Sequence, residues 1–320
     1  RSEYRKYFFR YASEFGFQSF PSVKTLETVT DDPKELNPFS YVMEKHQRNY
    51  GGNGKIAKYM QAAYRYPENF SDFVYVSQLL QADGIRYGVE HYRRNRGRCM
   101  GAIYWQLNDC WPVISWSSID YYGRWKALHY YAKRFFAPVM LSCEEQSWMT
   151  VEADMNRQHF EFEKSILLNV TNETLDAHRV LVKWAVRKTD ATILREEEQW
   201  LEVPALSAVW MDKVELPQID CFNEYVSYEA WENDQIISQG TVIFSYPKYF
   251  HYLNPGLAVR VDGDEIVVKA EAYAKSVEIR NENDDLILED NYFDMNAGEY
   301  RVKILDGKPD GLKVRSVYDI

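Results

Sequence analysis

Two periodicities divide the chain. Up to about residue 137, apolar positions fall in short continuous runs and in helical stripes; beyond Pro138 they alternate with polar ones. Tyr7 to Ala12 is an apolar run of strand length, expected to be buried, which ends at the polar pair Ser13-Glu14 and turns at Gly16. Pro21 to Pro38 has loop character, with Asp31-Asp32-Pro33 and Asn37-Pro38 as turn chemistry. Helices are expected over 39–49 and 55–66, on either side of a flexible break at Gly51-Gly52-Asn53-Gly54. Ser71-Asp72 reads as the N-cap of a long helix to about Asn95, striped by Phe73, Val76, Leu79, Leu80 and Tyr87. Its basic end, Arg93, Arg94 and Arg96, suits the negative pole of a helix, and Gly97 closes it. Met100 to Leu107 is a second apolar run, again expected to be a buried strand. It ends at Asn108-Asp109, and a helix follows over 126–136.

Past Pro138 the pattern is that of strands. Val180, Val182, Trp184 and Val186 alternate with Leu181, Lys183, Ala185 and Arg187. Tyr225 to Trp231 and Ile236 to Phe244 flank Glu232-Asn233-Asp234-Gln235, a hairpin signal. About seven strands between Val139 and Phe244 predict a β-sandwich of immunoglobulin size. Pro247-Lys248-Tyr249 reads as a linker. Leu257, Val259 and Val261, the turn Asp262-Gly263-Asp264, and Ile266, Val268 and Ala270 then open a smaller all-β unit reaching Ile320. The expected class is multi-domain, α/β plus all-β: residues 1–137 as the C-terminal portion of a (β/α)8 (TIM) barrel, then two immunoglobulin-like sandwiches over 138–246 and 247–320.

Composition narrows the function classes. A net charge of -10 over 320 residues argues against nucleic acid as a partner. No apolar run approaches the roughly 20 residues that span a bilayer, so no membrane partner is expected. The four cysteines form no C-x-x-C, and neither H-E-x-x-H nor G-x-S-x-G occurs. No metal, cofactor or serine triad is therefore expected. Arg1 to Lys6 leads straight into an apolar run with no signal peptide, as in a chain entered in mid-domain. Asn69-Phe70-Ser71 and Asn169-Val170-Thr171 fit the glycosylation pattern. The 16% aromatic content serves either large cores or carbohydrate faces, and composition does not choose.

The candidate chemistry lies at the two strand ends. A carboxylate there is costly to bury unless something uses it, and barrel enzymes place catalytic residues at that end of a strand. Glu14 is accordingly a candidate nucleophile. Glycoside hydrolysis needs a second carboxyl group. Asp109 is the other well-placed one, though Asp and Asn favour such turns and the sequence favours a loop-capping Asp there. Trp105, Trp111, Trp116 and Trp125 gather around the second strand end, either as a small core under a loop or as a sugar platform, with Trp105 on the strand itself.

Two stretches, Ser13-Glu14-Phe15-Gly16-Phe17-Gln18-Ser19-Phe20-Pro21-Ser22 and Tyr104-Trp105-Gln106-Leu107-Asn108-Asp109-Cys110-Trp111-Pro112, closely resemble the C-terminal part of β-mannosidases of glycoside hydrolase family 2. Ser115 to Tyr121, Gly123 to Tyr130, Phe136-Ala137-Pro138 and Asn291-Tyr292-Phe293-Asp294 extend the resemblance over nearly the whole chain. It implies a parent enzyme that is a retaining exo-glycosidase acting on terminal β-mannose of oligosaccharides. Glu14 would be the nucleophile, and Trp105, with Asn108, Asp109 and Trp111, would line the sugar site. The family's acid/base is a Glu preceded by Asn, which stands nowhere upstream of Glu14; Asn172-Glu173 and Asn223-Glu224 lie in the sandwich and do not substitute. The implied partner is thus the N-terminal part of the barrel, and the chain alone is expected to be inactive. The resemblance favours an extracytoplasmic setting. The other readings are an exo-β-glucosaminidase or β-galactosidase-like enzyme of the same family, and a non-catalytic carbohydrate-binding fragment.

Overall fold

The structure, a computed structural model, describes residues 2–151 and 161–320. Arg1 and the part of the first sandwich that falls on 152–160 lie outside these residues. Six α-helices are described: α1 (Ser2–Arg5), α2 (Val23–Leu26), α3 (Tyr41–Lys45), α4 (Gly52–Ala63), α5 (Phe70–Arg94) and α6 (Ala127–Phe135). The chain divides into two compact units. One comprises 1–13, 86–103 and 133–252, the other 14–85, 104–132 and 253–320.

The first strands differ from expectation. The apolar run Tyr7 to Ala12 is not itself the strand: β1 is Ala12–Phe15, and Glu14 lies within it rather than beyond it. β2 is Ala102–Tyr104. Met100 N donates to Arg10 O and Trp105 N to Phe15 O, so the two strands run parallel. Among the described residues they pair only with each other. Neither strand is buried along its length: Ala12 is the one buried residue in the two. Tyr7, Phe9 and Tyr11 stay exposed, as do Met100, Ile103 and Leu107.

The helix ends also moved, for local reasons. α5 is capped by Asn69, whose side-chain oxygen accepts from Asp72 N at 2.9 Å, and not by Ser71-Asp72. Gly51 to Gly54 is no flexible break. Gly51 takes a left-handed conformation (φ 64°) as the N-cap of α4, and Asn53 is buried. Asn169 is fully buried in a sheet, which removes it as a glycosylation acceptor.

The first unit holds the larger sandwich: β3 (Val139–Gln146), β4 (Ser165–Asn172), β5 (His178–Lys188), β6 (Ile193–Val203), β7 (Ser207–Trp210), β8 (Val214–Glu215), β9 (Glu224–Glu232) and β10 (Gln235–Ile243). One sheet has the order β10-β9-β5-β6; the other is β3-β4-β7, with β8 also on β4. Val180, Val182, Trp184 and Val186 of β5 face Leu141, Ile166, Leu168 and Val170 in one core, as their alternation requires. Glu232 pairs with Gln235 across a two-residue turn in which Asn233 (φ 49°) and Asp234 (φ 60°) are both left-handed, the conformation such tight hairpins demand.

The arginines at the end of α5 do more than balance the helix dipole. Arg93 donates to Phe135 O (2.6 Å) and Ala137 O (2.9 Å). Arg94, 1% exposed, lies 3.4 Å from Glu144 and 3.6 Å from Glu90. Arg96 pairs with Glu173. Arg5 of α1 reaches Glu145 at 2.7 Å, and Tyr87 donates to the same carboxylate.

The second unit holds β11 (Ala258–Asp262), β12 (Glu265–Ala270), β13 (Ala274–Arg280), β14 (Ile287–Leu288), β15 (Phe293–Met295), β16 (Gly298–Asp306) and β17 (Lys313–Arg315), in sheets β11-β12-β16-β14 and β15-β13-β17. The turn after β11 is tight, with Asp262 opposite Glu265 and Gly263 at φ 67°. Tyr75 of α5 donates to Ser276 O at 2.6 Å, and Arg315 of β17 reaches Asp72 at 2.9 Å.

Removing one member of a buried ion pair strands the other charge, at a cost of about 3–5 kcal/mol, whereas exposed pairs contribute about 0–1 kcal/mol. Glu145 is 2% exposed; Glu163, paired with Lys213 at 2.5 Å, is 49% exposed. Urea denaturation should therefore show Glu145→Ala losing several times more stability than Lys213→Ala.

Candidate functional site

Glu14 is exposed, and its side chain makes no hydrogen bond or ion pair among the described residues. Trp105 directly follows β2 and its N–H donates to Phe15 O at 2.8 Å, which brings it alongside the end of β1; Glu14 and Trp105 are both exposed there. Trp105 is 49% exposed, and its peptide bond to Gln106 is cis. Gly16 is needed for close approach. A Cβ there would come within 2.4 Å of Trp105 O and 2.9 Å of the Trp116 ring.

The loops that leave the two strands are bonded to each other. Ser19 N donates to Ser115 O at 3.0 Å. Ser115 Oγ donates to Asp109 at 2.8 Å, and Gln106 Nε2 donates to the same carboxylate at 3.0 Å. Asp109 thus serves its own loop, as the capping reading of the sequence has it. Asn108 is exposed, and its carbonyl accepts from Gln106 Nε2 at 2.9 Å. From α5, Gln81 fastens both loops: its amide nitrogen reaches Phe17 O (2.8 Å) and Ser117 O (3.2 Å), and its oxygen accepts from Ser19 Oγ (2.7 Å).

The four tryptophans do not form one platform. Trp111 packs against the His46 ring, 4.8 Å between centroids, with the Arg48 guanidinium 5.3 Å from its own ring. Trp116 lies against Gly16, and Trp125 meets His129 at 4.5 Å and Tyr130 at 5.3 Å. His129 packs on Trp125 and lies with Nδ1 3.1 Å from Ser118 Oγ. The 111–115 segment is held by the 46–48 segment, through Ile114 N to His46 O (2.7 Å) and His46 Nδ1 at 2.6 Å from Pro112 O. Neither His46 nor Arg48 stood out in the sequence, because nothing local links residue 46 to residue 111. Gln18 is buried and donates to Gln47 Oε1 at 2.5 Å.

Lys126 was likewise unmarked, one basic residue in a loop-to-helix step. Its side chain is fully buried, and Nζ donates to Ser19 O at 3.3 Å. Burial pulls its pKa down to about 7, against the opposing attraction of Asp109 and Asp120. Folded, the amine sheds its proton near pH 7; unfolded, it keeps it to about 10.5. Between those values the unfolded chain binds the extra proton, so folding is favoured as pH rises, by at most about 1.4 kcal/mol per pH unit. Lys126→Met should raise the denaturation midpoint most at pH 6–7 and progressively less towards pH 10. An equal gain at both pH values would contradict this.

Comparison with known proteins places these features. Residues 164–249 match the model of the mannosidase Ig/CBM-like domain, and residues 252–320 match that of an Ig-fold domain of mannosidases. β-Mannosidase B of Thermothelomyces thermophilus is 30% identical over 97% of this chain and 39% of its own length. The β-mannosidase of Capra hircus is 39% identical over 144 residues, 41% of this chain and 16% of that protein. Among solved structures, the β-D-mannosidase of Dictyoglomus thermophilum superposes with a TM-score of 0.83 at 26% identity, over 98% of this chain and 38% of that one. The exo-chitosanase of Amycolatopsis orientalis shares the fold, with a TM-score of 0.67 at 16% identity over 96% of this chain and 42% of that one. The chain therefore spans about two fifths, or less, of the length of these relatives. With two mannosidase-type Ig domains in tandem and likeness to β-mannosidases along almost its whole length, the chain belongs to the β-mannosidase family, of glycoside hydrolase family 2 type, as its C-terminal region.

Proposed function

We propose that the whole protein is a retaining exo-β-mannosidase, and that residues 1–137 supply the last two strands of its (β/α)8 barrel together with the nucleophile, Glu14. The observation that carries this is the placement of Glu14: an exposed, unengaged carboxylate at the end of β1, beside the exposed Trp105 that follows β2, in a chain of this family. In a double displacement, a Glu14 oxygen attacks the anomeric carbon as the bond to the leaving oxygen breaks. The acid/base carboxyl protonates that oxygen, then takes a proton from the water that cleaves the glycosyl ester. Trp105 offers a flat apolar face to the sugar in the same site. Asn108, Asp109 and Trp111 stand in its wall: Asp109 by holding Ser115 and Gln106 in place, and Trp111 as a ring further along the loop. The substrate is a terminal, non-reducing β-mannoside.

The second carboxyl must lie about 5–5.5 Å from the first in a retaining enzyme. Glu173 is committed to Arg96 in the sandwich unit and is no such partner. The acid/base therefore belongs to the remainder of the protein, and these 320 residues alone should not turn over p-nitrophenyl β-mannoside. A rate near that of the full-length enzyme would refute this. In the full-length enzyme, Glu14→Gln should abolish turnover, a loss of several orders of magnitude, while leaving sugar binding in place; unchanged turnover would remove Glu14 from the mechanism. A panel of aryl β-glycosides separates mannoside from glucosaminide and galactoside preference.

A further inference from the structure

The larger sandwich carries an organised outer face that catalysis at Glu14 does not use. In the sheet β10-β9-β5-β6, Leu181 lies opposite Trp200 on one side and Trp231 on the other, and Trp231 lies opposite Ile236. One apolar row, Trp200–Leu181–Trp231–Ile236, thus crosses all four strands. At about 4.8 Å per strand it is some 14 Å long. Trp200 is 53% and Ile236 41% exposed. Two residues along, Lys183 lies opposite both Glu198 and Glu229. Two further along, Ala185 lies opposite Ser227, and these two small buried residues floor a groove walled by Lys183, Arg187, Glu196, Glu198 and Glu229.

We propose that this face binds a neutral oligosaccharide of pyranose units. The chemistry of the two rows argues for that ligand. Pyranose rings present flat C–H faces that match exposed indole rings, and hydroxyls at their edges that both donate and accept. The apolar row supplies the first kind of contact. The adjoining groove supplies both of the second: carboxylates that accept and the Lys183 ammonium that donates. Its mixed charges give no single-sign field for a polyanion or an anionic lipid surface. A wholly solvated sheet face would have no reason to hold two tryptophans at one level against one leucine. Arg179 now lies over Trp200 (4.5 Å) and Lys183 over Trp231 (5.3 Å). Both are long, solvent-exposed side chains whose contacts with the rings contribute about 0.5–1 kcal/mol each, and a bound sugar displaces them. Trp231 is held in place through Nε1, which donates to Glu229 at 2.8 Å.

The test uses these 320 residues and calorimetric titration with β-1,4-linked mannotetraose and cellotetraose. Binding is expected, weakened about tenfold or more by Trp200→Ala and by Trp231→Ala and unchanged by Leu175→Ala, an exposed apolar side chain of the same sandwich outside the row. Trp200 is exposed, so its truncation leaves the fold intact, which thermal unfolding of the variant verifies. Absence of binding up to about 10 mM ligand overturns the proposal. So does binding that responds to Trp105→Ala and not to Trp200→Ala, which would put the sugar at the strand-end site. Loss of turnover or of Glu14 chemistry in the full-length enzyme leaves this result unaffected, so the two proposals fail separately.

Discussion

A helix buried on most of its circumference has to find a partner for every polar side chain it carries, because each one left unpaired costs about 1–3 kcal/mol. α5 is such a helix. Gln78, Gln81, Glu90, Arg93 and Arg94 are all buried along it. In one unit, Ser77, Gln78 and Gln81 bond the backbone of the Phe17–Phe20 segment, and Gln81 also bonds Ser117. In the other, Arg93 and Arg94 bind the end of α6, the segment after it, and β3. The positions of the loops around Glu14 and Trp105 are thus consequences of the helix's own needs. The candidate site sits on loops, but those loops are held by fixed hydrogen bonds from a rigid element.

What the sequence made legible was what local chemistry decides. The Asn233-Asp234 and Gly263-Asp264 hairpins follow from residues that tolerate left-handed backbone, and the buried alternation of β5 follows from strand geometry. α5 was visible as a stripe, but its cap was misplaced by two residues. Ser71, Asp72 and Asn69 are all capable caps, and only the fold shows which one turns its oxygen towards the helix. The arginines at its end were read as partners of the helix dipole. Apart from Glu90, one turn back along α5, their partners are carbonyls and carboxylates more than 40 residues away, a distance that no local rule spans.

The site was legible in part for the same reason. Glu14, Gly16 and Trp105 could be marked because a polar residue, a glycine and an aromatic at strand ends stand out against apolar runs. The close approach of Trp105 O to Gly16 explains the glycine afterwards. Burial of the strands was misjudged, since an apolar run reports what a segment can bury and not whether a neighbour is present to cover it. Lys126 and His46 were invisible because their significance is wholly three-dimensional: one is an amine shut away from water beneath Ser19, the other a ring against Trp111.

The border strand of the larger sandwich has a consequence of its own. β6 ends its sheet, and from Ile193 to Trp200 every residue is exposed. Such an open border is a template for another chain to add a strand. Here it carries Arg195 followed by Glu196, Glu197 and Glu198. A second copy laid alongside would bring like charges together, in either direction, over the middle of the strand. The run of carboxylates therefore acts as a guard against sheet-to-sheet polymerisation, and it keeps the neighbouring surface open to molecules small enough to lie across the strands instead of extending them.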